Sequence, residues 1–285
     1  MKALTGLGVV EFYDLVVVFS PLYDAWNESR RSDRKRNLGA GGQWSLEGYT
    51  SKLFYILFYV KCYPTFDVAG FFFNVDKSRT CRWTHDWLPL LEKALGKKVE
   101  LPKRKIQSVA EFYECFPKVK ELFIDGTERR IQRPKYKQEQ DYSGKKKSHT
   151  KKNLIISDKK RRILMLSPTV SGKEHDYSML KNWNIMQAIP KDIPILVDLG
   201  FQGIRSDFSH TKLMIPHKKP KNGELSETEK SQNKAFSSVR VLVEHAIGGV
   251  KRLKSLTDPY RNRKDNFSDQ LMMVGCGLWN YHLAQ

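Results

Sequence analysis

Cysteine is scarce in this sequence of 285 residues, and the cysteine patterns that bind zinc are missing. The four cysteines, Cys62, Cys81, Cys115 and Cys276, are far apart and form no CxxC pair. Neither a zinc knuckle nor a disulfide framework is therefore predicted. No two of the seven histidines lie four residues apart, so a zinc-protease helix is excluded as well.

The sequence also lacks the long apolar runs of membrane proteins. The apolar stretch Leu53–Val60 has only eight residues before Lys61, whereas a spanning helix needs about 20. Glu11 and Asp14 interrupt the apolar N-terminus, where a signal peptide would be continuous. We therefore expect a cytoplasmic protein without a membrane partner.

Acidic residues are much fewer than basic ones. Against 50 lysines and arginines stand 31 acidic residues, which gives a formal net charge of +19. Such an excess indicates a polyanionic partner, most often nucleic acid, with a membrane surface as the alternative. Together with the helix-turn-helix spacing described below, this charge leads us to expect double-stranded DNA as the partner and a protein associated with the nucleoid.

Composition divides the chain into three parts, 1–43, 44–100 and 101–285. The first part holds an amphipathic helix, 9–26, which is expected to break near Pro21. Residues 27–43 follow as a basic linker, which is either a solvated loop or a sequence-independent phosphate contact. A segment rich in Gly, Pro, Lys and Arg at 95–106 joins the second and third parts.

The second part has the spacing of a helix-turn-helix domain. A helix is predicted from Ser45, as its cap, to Tyr63, then a short helix 65–73, then a third from the cap Asp76 to about Leu95. The start of the third helix would enter the major groove of DNA. Its DNA-contacting residues would be Lys77, Ser78, Arg79 and Arg82. The alternative is an ordinary helical bundle whose basic residues face water.

The third part carries three acids in apolar surroundings. The apolar run 122–124 ends in Asp125, and 193–197 ends in Asp198, each followed within two residues by glycine. Glu244 is expected in the apolar face of a helix. A carboxylate buried in this way must be neutralised by a cation or shift its pKa. The three acids are therefore our candidate catalytic and metal-binding residues.

A strongly basic stretch follows Asp125. Between residues 129 and 162 there are fourteen lysines and arginines and only three acids. The apolar pieces 154–156 and 163–166 within it predict an antiparallel hairpin with a turn at Asp158. The rest is either a solvated loop or a phosphate-binding rim, and we favour the rim. Its predicted contacts are Arg133, Lys145, Lys146 and Lys147.

The order of elements predicts an α/β catalytic domain with a ribonuclease H-like mixed sheet. Asp125 and Asp198 would lie on neighbouring strands, with Glu244 on a closing helix. For Asp176 we favour a role as a helix cap over a catalytic one, and we expect Ser226 with Glu229 to form the capping box of the last long helix.

Crowded carboxylates repel one another without a metal, and their oxygens suit Mg²⁺ or Mn²⁺ better than zinc. Two such ions would support an in-line phosphoryl displacement, with water for cleavage or a DNA 3′-hydroxyl for strand transfer. Arg240 and Lys251 lie near the Glu244 face of the predicted helix, where they would hold phosphates.

Three blocks resemble the signatures of DDE transposases of bacterial insertion sequences, in the insertion-sequence five-like branch related to the Harbinger elements. They are Asp125-Gly-Thr-Glu-Arg-Arg-Ile-Gln-Arg-Pro134, Asp198-Leu-Gly-Phe-Gln-Gly203 and Arg240-x3-Glu244-x6-Lys251. The segments 63–95 and Gly172-x2-His175-Asp176 are also similar to that branch. The resemblance implies that Asp125, Asp198 and Glu244 form the acidic triad. It further implies binding to terminal inverted repeats and target DNA by a homo-oligomer.

Two positions depart from that pattern. Leu199 stands where many relatives carry a lysine, and Ser237 stands where a tyrosine often precedes the arginine. The short connection 215–226 leaves no room for an insertion domain before Glu244. Besides an active transposase, the sequence is compatible with a catalytically silent repressor derived from one, or with a host nuclease of the same fold.

Overall fold

The computed structural model describes residues 1–30, 46–208 and 212–285, which form two compact units. The helical unit comprises Met1–Leu101, Lys251–Asp258 and Asn262–Gln285, and the sheet unit comprises Pro102–Val250 and Pro259–Arg261. The predicted α/β class, with helices preceding a mixed sheet, is confirmed. The linker residues 31–43 and the predicted cap at position 45 lie outside the described residues.

The helical unit begins with α1, Lys2–Thr5, and the long helix α2, Val9–Ser29. Pro21 lies inside α2, so the predicted break is wrong. Buried residues on both sides of the proline, Phe19 and Tyr23 among them, hold the helix together across it. Ser20 also donates its hydroxyl hydrogen to the carbonyl oxygen of Val16 over 2.8 Å, within the same turn.

The predicted helix-turn-helix is present as α3, Gly48–Cys62, α4, Phe66–Phe72, and α5, Lys77–Lys98. Thr65 caps α4 by accepting a hydrogen bond from the Val68 amide. Asp76 caps α5 by accepting one from the Ser78 amide over 2.8 Å.

The last helix, α10, Phe267–Leu283, belongs to the helical unit and packs against α5. The Tyr281 hydroxyl donates to the Glu11 carbonyl over 2.9 Å and to the Asp14 carboxylate over 2.7 Å. The Asn280 side chain donates to the Glu100 carbonyl. The sequence places this helix in the third part of the chain, and the division into functional domains stays a prediction.

Within its described residues, the sheet unit has seven strands. Their bounds are β1, Leu122–Arg130; β2, Tyr142–Ser143; β3, Ser148–Ser157; β4, Ile163–Leu166; β5, Val170–Ser171; β6, Ile195–Val197; and β7, Leu213–Met214. β1 runs antiparallel to β3 and parallel to β6, which in turn is parallel to β7. β3 also pairs with β2, β4 and β5, and its pairing with β4 confirms the predicted hairpin.

The first strand is longer than predicted. We expected it to end at Asp125, but the ladder with β3 continues from Phe123, opposite Ser157, to Arg130, opposite Thr150. The polar half of β1 stays extended because β3 supplies it with backbone partners. Asp125 therefore lies inside a strand and not at the start of a basic loop.

In the part of this unit that the structure describes, the sheet is accompanied by the helices α6, Val109–Cys115; α7, Asp176–Trp183; α8, Ile204–Asp207; and α9, Glu227–Val250. The predicted capping box at the start of α9 is confirmed, because Ser226 and Glu229 exchange side-chain to backbone hydrogen bonds of 2.8 and 3.2 Å. α9 contacts β1 and β3. The apolar core holds β-strand residues with those of α6 and α7, including Leu122, Ile124, Leu154, Val197, Phe112 and Leu180.

Across the described ranges, no helix combines the length and hydropathy of a bilayer-crossing segment.

Candidate active site

Two aspartates lie side by side where the ladder between β1 and β6 ends. In the parallel ladder between β1 and β6, Ile124 pairs with Val197, and the next residue on each strand is Asp125 or Asp198. Because paired residues of parallel strands advance together, these two acids occupy one edge of the sheet. The structure thus brings together two of the three acids predicted from the sequence.

A backbone amide holds each of these carboxylates. The Gly126 amide donates to Asp125 Oδ1 over 2.7 Å, and the Gly200 amide donates to Asp198 Oδ1 over 2.7 Å. Asp198 thereby caps a short 3-10 helix, Leu199–Phe201, that starts directly after β6. Both side chains are fixed by the local backbone before any ligand binds.

A third aspartate, Asp176, approaches the same edge. A Cβ atom on Gly126 would lie 3.0 Å from Asp176 Oδ1. A Cβ atom on Gly200 would lie 2.8 Å from Asp198 Oδ1 and 3.6 Å from Asp176 Oδ2. Asp125, Asp176 and Asp198 therefore gather around two glycines, whose missing side chains leave room for them.

The prediction that Asp176 caps α7 is wrong. His175 is the N-cap residue, and within the described chain its side chain makes no capping hydrogen bond. Asp176 is the first helical residue, and its carboxylate lies near Gly126 and Gly200. Sequence reasoning treated this acid as a cap because an Asp before an apolar helical pattern usually is one. The available signal was the block Gly172-x2-His175-Asp176, which marks the position without giving its role.

The pKa of Asp125 is raised from its ordinary value to about 6, mainly because the side chain is buried. The hydrogen bond from the Gly126 amide and the positive charge of Arg240 act in the opposite direction. The negative charges of Asp198 and Asp176 raise the pKa further. Burial next to like charges disfavours the ionised carboxylate, and a bound cation would offset both effects.

The sequence predicts Glu244 in the buried face of α9, but in the structure Glu244 lies outside that face. The buried residues of this part of the helix are Val243, Ala246, Ile247 and Val250, and the Glu244 side chain is 53% exposed. Successive helical residues are rotated by about 100°, so Glu244 falls beside the buried stripe and not within it. Its carboxylate is 3.2 Å from the guanidinium of Arg240.

The described residues contain no group of three or more His, Cys, Asp or Glu side chains arranged to hold a metal ion. Glu244 is also not among the charges that shift the pKa of Asp125. The donor chemistry nevertheless fits a hard divalent cation, because several carboxylate oxygens gather where negative charge is poorly compensated. Asp125 and Asp198 are the residues that would hold the ion.

The residues predicted to read DNA lie in the helical unit. Lys77, Ser78, Arg79 and Arg82 are all exposed on the first turns of α5. Lys77 forms an ion pair of 3.3 Å with Asp67 of α4, and both side chains are well exposed. An exposed pair of this kind contributes little stability, so it leaves Lys77 available to a phosphate.

The other basic candidates are distributed over both units. Arg133 is exposed and donates to the Gln138 side chain over 2.8 Å. The exposed turn between β2 and β3 carries Lys145, Lys146 and Lys147. Lys251 directly follows the end of α9, in a segment of the helical unit.

The two departures from the family pattern lie at the surface. The Leu199 side chain is 41% exposed directly after Asp198. Ser237 is exposed on α9, and its hydroxyl donates to the Asn233 carbonyl over 2.8 Å.

Comparison with known proteins gives two family matches. A family described as DDE superfamily endonuclease matches residues 124–280, and one described as helix-turn-helix of DDE superfamily endonuclease matches residues 44–97. The chain is also similar to a probable transposase for insertion sequence element IS702 from Microchaete diplosiphon. The two are 29% identical over 230 residues, which cover 80% of this chain and 79% of that protein. No solved structure matches the chain.

Proposed function

This chain belongs to the family of DDE superfamily endonucleases, and we propose that it is a transposase that binds, cuts and joins the ends of its own insertion sequence. The observation that carries the proposal is the pairing of Ile124 with Val197, which sets Asp125 and Asp198 side by side. The similarity to a probable transposase along most of the chain favours transposition over other DNA cleavage.

Endonucleases of this superfamily generally use divalent metal ions, and the acids of this site suit Mg²⁺ or Mn²⁺. Asp125 and Asp198 would hold the metal, and Glu244 would join them once its ion pair with Arg240 opens. A bound pair of ions supplies activation of the attacking oxygen and stabilisation of the leaving oxygen in phosphoryl transfer.

The chain's own residues would position the DNA. Arg240 interacts with Glu244 and acts on the charge of Asp125, so its guanidinium is well placed to bind a phosphate next to the acids. The exposed start of α5 would read the terminal inverted repeats in the major groove. The basic turn with Lys145, Lys146 and Lys147 would bind backbone phosphates of either the ends or the target.

Joining two ends requires both to be held at once, so we propose that the active form is a homo-oligomer on DNA in the nucleoid. The net charge of +19 supports tight, salt-dependent association with DNA.

A second candidate function is a repressor that binds the ends without cutting them. The exposed position of Glu244, which is not among the charges that shift the pKa of Asp125, favours this alternative. A host nuclease of the same fold would cleave DNA without joining it.

Nicking of an end-containing DNA duplex tests these functions. With Mg²⁺ or Mn²⁺ we expect the wild type to nick the duplex at the element's end and to join that end to target DNA. Asp198→Asn keeps the shape of the side chain but removes a charged ligand, so nicking should fall to background. Asp192→Asn is the matched control, because Asp192 is exposed and lies just before β6.

Metal-independent nicking, or nicking that survives Asp198→Asn, would exclude the proposed site. Binding of the ends without cleavage would favour the repressor, and cleavage without joining would favour the nuclease.

A further inference from the structure

A nearly buried lysine stands next to Asp176. Lys152 lies on β3, its side chain is only 12% exposed, and its ammonium is 3.2 Å from Asp176 Oδ1. The same ammonium donates a hydrogen bond of 2.8 Å to the Glu174 carbonyl. Burying a lysine is costly unless it is paired, and here both partners lie at the start of α7.

The turn before α7 is also fixed to β3 through Gly172. The Gly172 amide donates to the Thr150 carbonyl over 2.8 Å, and a Cβ atom on Gly172 would lie 1.8 Å from Thr150 Oγ1. β5 continues this attachment by pairing Val170 with Lys152. The block Gly172-x2-His175-Asp176 thus has a physical explanation: the glycine allows close contact with β3, and the contact places the aspartate.

The two oxygens of Asp176 have different surroundings. Oδ1 is buried beside Gly126 and Lys152, and it accepts no hydrogen bond from any described residue. Oδ2 lies near Gly200, whose amide holds Asp198. One oxygen is therefore fixed by a positive charge, while the other lies toward the second aspartate of the site.

A purely structural ion pair would explain the contact between Lys152 and Asp176 but not its location. Lys152 and Arg240 bring two positive charges to a site with three aspartates, so the pair adds a carboxylate to an edge whose negative charge is only partly compensated. An anchor for α7 would be less costly away from Asp125 and Asp198. A cation bound at this edge would remove that cost.

We propose that Lys152 is a positioning residue that holds Asp176 beside Asp125 and Asp198, and that Asp176 becomes a third oxygen donor when a divalent cation draws the three carboxylates together. The proposal rests on the proposed function, because it assumes a cation at this edge. It also accounts for the site's third carboxylate while Glu244 is paired with Arg240 on the exposed part of α9.

The charge of Lys152 and its positioning role predict opposite changes in cation affinity when the lysine is replaced. If Lys152 acted only through its charge, removing it would relieve repulsion of a cation and tighten binding. If it positions Asp176, removing it releases the carboxylate and weakens binding. Loss of an outer partner of a metal-binding residue typically lowers metal affinity about 10- to 100-fold.

Binding of Mn²⁺ to the full-length chain in the absence of DNA, measured by calorimetry and by the electron paramagnetic resonance signal of free Mn²⁺, tests the proposal. We expect Lys152→Met and Asp176→Asn each to weaken binding by about 10- to 100-fold. The double variant should be no weaker than the weaker single variant, because both changes remove one interaction. Lys152→Arg should restore binding to within a few-fold of the wild type.

Lys151→Met is the matched control. Lys151 is the neighbouring residue on β3, and it pairs with Asp141 over 2.8 Å. Its loss should leave Mn²⁺ affinity unchanged. Asp176→Asn is nearly isosteric, so the proposal remains testable with this variant if Lys152→Met fails to fold.

Unchanged or tighter binding by Lys152→Met would overturn the positioning role, and unchanged binding by Asp176→Asn would overturn the donor role. If the wild type binds Mn²⁺ and only Asp125→Asn abolishes binding, this inference fails and the proposed function stands. If the wild type itself binds no Mn²⁺, or Asp125→Asn leaves binding intact, the proposed function fails with it.

Discussion

Arg240 and Glu244 form an ion pair one helical turn apart on α9, with 3.2 Å between Nη2 and Oε1. The same guanidinium lowers the pKa of Asp125, against the larger effect of burial. Arg240 therefore interacts with two of the acids that the family pattern unites. It compensates part of the site's negative charge while Glu244 stays apart from Asp125.

Replacing Arg240 with methionine should raise the pH midpoint of metal binding. Without the guanidinium, the pKa of Asp125 rises above its value of about 6, so protons compete with the cation over a wider range. Mn²⁺ titrations between pH 5 and 8 measure the midpoint. Lys234→Met replaces an exposed lysine on the same helix, and it should leave the pH midpoint of Mn²⁺ binding unchanged. An unchanged midpoint in Arg240→Met would contradict the electrostatic role of Arg240.

Asp125 should make the metal-free protein less stable as pH rises. Its folded pKa of about 6 exceeds the unfolded value, so the folded state binds more protons between about pH 4 and 6. Its contribution is present below pH 4 and lost as pH rises through 6. The loss is about 2 to 3 kcal/mol from a shift of about two pKa units.

Asp125→Asn removes this titration while an amide oxygen still accepts the bond from Gly126. Urea unfolding in the presence of a chelator should therefore show the variant to be more stable than the wild type at pH 8 but not at pH 4. Asp192→Asn, at an exposed position, should show no such difference. If Asp125→Asn raised the free energy of unfolding equally at pH 4 and pH 8, the pH dependence of stability could not be assigned to Asp125.

Gly172→Ala should destabilise the sheet unit. A methyl group there would collide with Thr150, both with its hydroxyl at 1.8 Å and with its carbonyl oxygen at 2.8 Å. Forcing an extra methyl group into close-packed structure typically costs about 1 to 3 kcal/mol. Gly144→Ala is the control, since a Cβ atom there meets no described atom within 4 Å. Equal unfolding midpoints for the two variants would contradict the close contact of Gly172 with β3.

Arg82→Ala should weaken DNA binding and reduce its salt dependence. If Arg82 contacts a phosphate, the slope of log affinity against log salt concentration should fall by about 0.9. Fluorescence anisotropy with an end-containing duplex measures that slope. Lys97→Ala changes an exposed lysine in the last turn of the same helix, and it should leave the slope unchanged. Equal slopes for both variants would remove the start of α5 from the DNA interface.

Tyr281→Phe should destabilise the helical unit. The buried hydroxyl donates to the Glu11 carbonyl and to the carboxylate of Asp14, which also binds Lys98. Loss of a hydrogen bond to a charged group costs about 1.5 to 3 kcal/mol. The control is Tyr13→Phe on α2, where the side chain is 55% exposed. Thermal unfolding followed by tryptophan fluorescence should separate the two variants, and coincident curves would contradict the role of Tyr281.

Local sequence patterns predicted the elements whose signals lie within a few residues. The cap at Asp76, the hairpin of β3 with β4, and the capping box at Ser226 depend on such signals, and the structure confirms them. The adjacency of Asp125 and Asp198 was predictable for the same reason, since each acid ends an apolar run that reads as a buried strand.

The features that the sequence did not reveal depend on distant partners. β1 extends to Arg130 only because β3 pairs with it, and α2 continues through Pro21 because the helix is packed on both sides. Asp176 reaches the site only because Gly172 lies against Thr150 and Lys152 lies nearby. Glu244 was predicted to be buried because the pattern around it is apolar, but the helical rotation that exposes it depends on which face of α9 meets the sheet.

Because α10 packs within the helical unit, that unit can be completed only after the sheet unit during synthesis. The chain leaves the ribosome from its N-terminus, and domains generally fold as their last segments emerge. The sheet unit is finished at Arg261, but the helical unit that carries α5 lacks a buried partner until the last seventeen-residue helix has been made. A chain that stops before α10 would therefore present the acidic site on a finished sheet unit beside an incomplete helical unit. The proposed cutting and DNA binding would be combined only after α10 has been made.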